Sequence, residues 1–129
     1  MAGLIYHLIF GIILAAIVYY KFKNLQYSTS IFIGNLLHYI FIFAYAPFLL
    51  KSFNPTEILY SSYFTHRDII FNFIWMATQI IFISIFLFFQ RYVRKKKFKD
   101  LEYNLGFVLL GIIIHAILDF MIQETGIWI

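Results

Sequence analysis

Cysteine is absent from this chain, and its absence removes disulfide frameworks and thiolate metal sites from consideration. Charge is scarce as well: Asp, Glu, Lys and Arg make up 12% of the 129 residues, roughly half their share in a soluble domain. No glycine-rich phosphate loop, internal repeat, low-complexity tract or domain linker interrupts the chain, so a single domain over residues 1–129 is expected. The serines (Ser28, Ser30, Ser52, Ser61, Ser62 and Ser84) have no nucleophile context around them. Hydrophobic residues fill the space instead, at 63%, with 17 Phe and 10 Tyr among them. A small water-soluble fold leaves much of its surface exposed and could not hide so much apolar area. The solvent for most of these side chains is therefore expected to be lipid.

The formal charge of +4 does not point to nucleic acid, because it is concentrated. Six of the ten Lys/Arg residues lie between Arg91 and Lys99, directly after an apolar run. A basic cluster in that position is a topology signal and a contact for anionic lipid. Four apolar stretches are long enough to cross a bilayer: Gly3–Tyr20, Ile31–Leu50, Ile69–Phe89 and Leu105–Ile122. At about 1.5 Å per residue each spans roughly 27–32 Å, close to the hydrocarbon thickness. Unpaired backbone groups are not tolerated in lipid, so an all-α bundle of four transmembrane helices is expected. Pro47 should kink or end the second helix.

The first stretch differs from a signal peptide, since Lys21 and Lys23 follow the apolar run rather than precede it. It reads as a retained helix. The first and third loops hold eight Lys/Arg, against Lys51 and Arg67 on the other side. That bias predicts a multi-pass cell-membrane protein with both termini outside and the basic loop 90–103 in the cytoplasm.

Ionisable groups within membrane spans are costly and usually functional. On this topology His7, His66, Asp68, His115 and Asp119 reach the level of the outer leaflet from three helices. His115 and Asp119 stand four residues apart, on one helix face. That spacing lets both reach one metal ion, and imidazole with carboxylate suits Zn²⁺ or another divalent transition metal. The alternative is a histidine satisfied by its own helical neighbour. Asp68 also suits the N-terminus of the third span as a cap, and His66 alone would read as a loop histidine. His38 is expected deeper, one turn from Asn35, in a helix–helix hydrogen bond. Tyr19, Tyr20, Tyr92 and Trp128 read as an interfacial belt.

The order of these pieces resembles the YdjM-like membrane-bound metal-dependent hydrolases. "IYHLIFG" carries His7 in the place of that family's early histidine, and "YFTHRDIIFN" is similar to its "FTHSLL" segment and contributes His66. "LGFVLLGIIIHAILDFMIQETGI" resembles its late "GYxSHxxxDxxTxxG" motif, with Gly111, His115, Asp119 and, one residue late, Gly126. The departures are specific: "GNLLHYIF" offers Asn35 and His38 where the family has a carboxylate. Ser61 and Ser62 replace a His-Arg pair, and Ile122 replaces the late Thr.

The resemblance implies a membrane-embedded metal-dependent hydrolase. His7, His66, His115 and Asp119 would hold a divalent ion, Zn²⁺ first, with one of them outside the coordination sphere. Asp68 or Glu124 would act as general base or orienting group. The depth of the site implies a phospholipid or other amphiphile as substrate. Two further readings stay open: a non-catalytic small subunit of a larger membrane complex or homo-oligomer, and a helical bundle that binds haem through two histidines.

Overall fold

The computed structural model describes residues 4–59 and 69–121, and every regular element among them is helical. Helix α1 covers Leu4–Phe22, α2 Leu25–Leu50, α3 Pro55–Leu59, α4 Ile69–Phe88 and α5 Asp100–Met121. A π-helical turn, Phe89–Val93, carries α4 onward into the basic segment. Three of these are long and apolar enough to cross a membrane: α1, the stretch Ile74–Val93, and α5. Helix α2 has 26 residues, about 39 Å at helical rise, and carries Asn35 and His38 near its middle.

Two helices start earlier than hydrophobicity alone indicates, and caps explain both. Lys23 turns the chain with φ at 52°, and Asn24 then opens α2. Its side chain accepts the backbone N–H groups of Gln26 and Tyr27, which satisfies donors with no partner inside the helix. Helix α5 opens at Asp100 because Glu102 accepts the backbone N–H of Lys99 at 2.9 Å, one half of a capping box. Asp100 and Glu102 also set negative charge against the helix N-terminus. The short α3 lies in a stretch expected to be loop; Asn54 caps it and Pro55 takes its first position. Pro47 sits in the last turn of α2, which runs on to Leu50 and closes at Lys51, φ 53°.

Helix α2 packs against α1 on one side and α5 on the other, and α4 rests on α5. Two glycines set the α2–α5 approach. A Cβ on Gly34 would lie 2.2 Å from the Val108 carbonyl oxygen, and one on Gly111 would lie 2.4 Å from that of Ile31. Small residues at a helix crossing let backbones meet in this way. Across the other face, the Ser28 hydroxyl donates to the Ala15 carbonyl at 2.7 Å and ties α2 to α1.

The distribution of side chains is the reverse of a soluble core. Among the described residues, six buried residues are polar or charged and five are hydrophobic. Ile74, Ile81, Phe82, Ile85 and Phe88 meanwhile project from α4. An apolar surface that extensive is unsuited to water.

The glycine crossing is directly testable. Gly34→Ala and Gly111→Ala should each destabilise the protein by about 1–3 kcal/mol or more, the usual range for overpacking. Gly106→Ala should be neutral, because nothing lies within 4 Å of the new Cβ. Thermal unfolding in detergent checks this; equal melting for all three would refute the close-packed crossing.

Candidate metal centre

The helical hairpin sets the level of the site before any side chain is considered. His7 lies fifteen residues before the end of α1, His38 thirteen after the start of α2, and His115 fifteen after the start of α5. At 1.5 Å per residue all three lie about 20 Å from the basic end of the bundle. Because the α1–α2 connection is only Lys23 and Asn24, residues nearly equidistant from it face one another.

His7, His115 and Asp119 meet in the interior, with 0, 2 and 4% of their surface exposed. His7 Nε2 is 3.1 Å from Asp119 Oδ1, and His115 Nε2 is 3.2 Å from Asp119 Oδ2. One carboxylate thus spans two imidazoles, one from α1 and one from a turn earlier on its own helix. The first contact has hydrogen-bond geometry and the second does not.

Asn35 organises both rings. Its backbone carbonyl is 2.6 Å from His115 Nδ1, so that nitrogen donates its proton there. The Asn35 side chain donates from Nδ2 to the His7 carbonyl at 2.6 Å. With Nδ1–H committed, a neutral His115 ring would have its lone pair on Nε2, the atom that faces the carboxylate. A backbone carbonyl that holds one ring nitrogen is the usual outer support of a metal-binding histidine. Tyr39 closes the group, its ring 5.5 Å from that of His7 and 5.7 Å from that of His115.

The donor set fits a divalent ion. One ligand atom from each of His7, His115 and Asp119 lies within 4.8 Å of the others. Ligands about 2.1 Å from a tetrahedral zinc stand roughly 3.4 Å apart, so the nitrogen–oxygen separations are already of that order. These three side chains could therefore hold one cation between them.

The sequence-predicted residues fare unequally. The structure brings His7, His115 and Asp119 together; His66, Asp68 and Glu124 lie outside the described residues. His38 was expected apart from this group, in a helix–helix hydrogen bond. It sits beside the group, its ring 5.6 Å from that of His115, and its Nδ1 is buried with no partner among the described residues. The short hairpin connection is the reason, since it puts the middle of α2 level with His7.

Haem ligation by His7 and His115 together does not fit. Their rings are stacked at 3.8 Å and 16°, whereas two axial ligands occupy opposite sides of a porphyrin. Asn35 is the residue whose importance sequence reasoning missed, although its place in mid-span was a visible signal.

No protein-family model, curated protein or solved structure matches the chain.

Asn35→Ala should remove the bond to the His7 carbonyl and cost about 0.6–1.7 kcal/mol, the range of interhelical hydrogen bonds in membrane bundles. It should leave the backbone support of His115 in place. An unfolding titration in mixed micelles that shows no loss would mean the amide does not tie α1 to α2.

Proposed function

We propose that this chain is an integral membrane protein of four transmembrane helices that holds one divalent ion, Zn²⁺ first, at the His7–His115–Asp119 group. We propose further that it acts as a metal-dependent hydrolase at the level of the outer leaflet, on a phospholipid or other amphiphile. The observation that carries the metal reading is the convergence of two imidazole Nε2 atoms and a carboxylate in an apolar interior, with the far nitrogen of His115 already bound to the Asn35 carbonyl. A bound zinc would lower the pKa of a coordinated water to about 7 and supply hydroxide at neutral pH.

The chain's own residues would do the rest. Asp119 neutralises charge, and Asn35 holds the orientation of His115. Asp68 or Glu124, as in the sequence reading, is the proposed base or orienting group. An open apolar groove of about 310 Å³ runs along α5 beside α4, lined by Ile80, Ile113, Ala116, Ile117, Phe120 and Met121. Ala116 and Phe120 directly follow His115 and Asp119, so an acyl chain in this open groove would lie against the helix that carries the site. This supports an amphiphile. The charge bias of the loops supports both termini outside, with the bilayer as the partner of the apolar surface.

One set of observations favours a second reading, a non-catalytic small subunit in which the group serves only to clamp helices. The stack of His7 on His115 and the near-complete burial of all three residues suit a proton-shared clamp as well as a metal.

Metal content decides between them. Detergent-purified protein should carry about one zinc per chain, and Asp119→Asn and His115→Ala should lose it. Asp119→Asn should still insert and express, since a carboxylate at bilayer depth costs up to ~2.5–3.5 kcal/mol on insertion scales and the amide costs less. Full zinc in the Asn variant would remove Asp119 from the ligand set, and a metal-free wild type would favour the clamp. For the topology, a cytoplasm-active reporter fused after Ile129 should stay silent; full activity would refute the orientation.

A further inference from the structure

We propose that the basic end of the bundle is a binding surface for the phosphate headgroups of anionic lipids, built jointly by Lys21 and Lys23 at the α1–α2 connection and by the segment Arg91–Lys99. The inference rests on the reading of this chain as a membrane protein. It is independent of what His7, His115 and Asp119 hold.

The first observation is charge without a partner. Lys21, Lys23 and the six Lys/Arg between Arg91 and Lys99 are all exposed, and none of them makes an ion pair among the described residues. Of the two acids that follow the segment, Asp100 and Glu102, the second is engaged by the backbone N–H of Lys99. A helix C-terminus favours a cation in its last turn. That accounts for Lys21 and Arg91, but not for the run that follows.

The second observation is shape. A polybasic tail is usually disordered and has to be ordered by what it binds, whereas this segment is already folded. The Arg94 N–H returns to the Phe89 carbonyl at 2.9 Å and the Lys96 N–H to that of Gln90 at 3.1 Å. Between them Lys95 takes φ 51°, a left-handed conformation that usually falls to glycine. A lysine therefore stands where the chain turns.

The third observation joins the two basic groups, which are remote in sequence. Phe98 is half-buried, with its ring 6.1 Å from that of Tyr103. Tyr103 lies 6.0 Å from Tyr27, and Tyr27 lies 6.1 Å from Phe22. The ammonium groups of Lys21 and Lys23 stand over the rings of Phe22 and Tyr20, at 5.5 and 4.7 Å. A row of rings thus runs from the basic segment to the α1–α2 connection. Aromatic rings and lysines at the ends of membrane-length helices suit the headgroup level, and Tyr92 is exposed near the end of the Ile74–Val93 stretch. Clusters of about four to eight Lys/Arg beside a span attract anionic headgroups. A preformed cluster does so with less to order on binding.

The test uses the full-length protein in phosphatidylcholine vesicles with a trace of spin-labelled phosphatidylglycerol or spin-labelled phosphatidylcholine. Electron spin resonance measures how much of each probe is held at the protein surface. Phosphatidylglycerol should be held about fivefold more strongly, the weight of roughly one lysine near a charged headgroup. Added salt should weaken that preference, a measurement that needs no variant to fold. Lys95→Gln/Lys96→Gln/Lys97→Gln should cut the preference to about twofold or less, and Lys21→Gln/Lys23→Gln should lower it at least about twofold. Phe98→Ala keeps every charge and should lower it too. Lys51→Gln should leave it unchanged, because about 39 Å of α2 exceeds the roughly 8–10 Å reach of a charge in salt. Equal holding of the two probes by wild type overturns the proposal in favour of an acidic protein partner. A preference undiminished in either lysine variant or in Phe98→Ala overturns the joint surface. Displacement of the probe by inorganic phosphate beyond that by chloride at equal ionic strength overturns it in favour of free phosphate. A protein that holds neither probe at its surface overturns the membrane reading itself, which separates the two failures.

Discussion

A carboxylate enclosed by apolar helices has to be paired, and in this bundle the pairing of Asp119 organises everything around it. Its two oxygens face His7 Nε2 and His115 Nε2 at 3.1 and 3.2 Å. Breaking such a pair by removing one partner costs more than the pair contributes, because an uncompensated charge stays behind. The chain therefore needs α1 and α5 at a set separation and depth. Few direct contacts join those two helices; α2, which lies between them, transmits the constraint.

Glycine at the crossing makes this geometry attainable. With no Cβ at Gly34 or Gly111, the α2 and α5 backbones approach closely enough for the Asn35 carbonyl to reach the His115 ring at 2.6 Å. The same residue's side chain reaches α1 at the His7 carbonyl. One turn of α2 thus reads the position of both neighbours, and the polar interior is built from backbone approach as much as from side-chain chemistry. In lipid no hydrophobic force would drive such helices together, and close packing and hydrogen bonds would be what remain.

How far the sequence revealed this differs by residue. The apolar runs located the helices, because length and hydrophobicity alone decide whether a segment suits a bilayer. Their ends were less legible: Asn24 and Glu102 extend α2 and α5 into polar sequence through caps that hydrophobicity does not register. His115 and Asp119 were readable as one face from their spacing. His7 joined them by an estimate of depth. His38 was misjudged because depth was taken from the apolar run starting at Ile31, whereas α2 starts at Leu25 beside a two-residue connection. Distance measured from that connection, rather than from the edge of hydrophobicity, puts His38 level with His7.

The interior as a whole bears on what the group is for. A clamp that only joins helices would be complete once Asp119 had found two imidazoles. Beside that group stand His38, whose Nδ1 has no hydrogen-bond partner among the described residues, and the ring of Tyr39, near both His7 and His115. Each added polar group in an apolar bundle raises the cost of burial unless something satisfies it. Two imidazoles and one carboxylate bring ligand atoms within 4.8 Å of one another, and a third imidazole stands beside them, more than holding α1 to α5 requires. A divalent cation would engage these donors in one step. The excess of ligands over structural need, more than any single distance, makes the centre of this bundle look like a binding site.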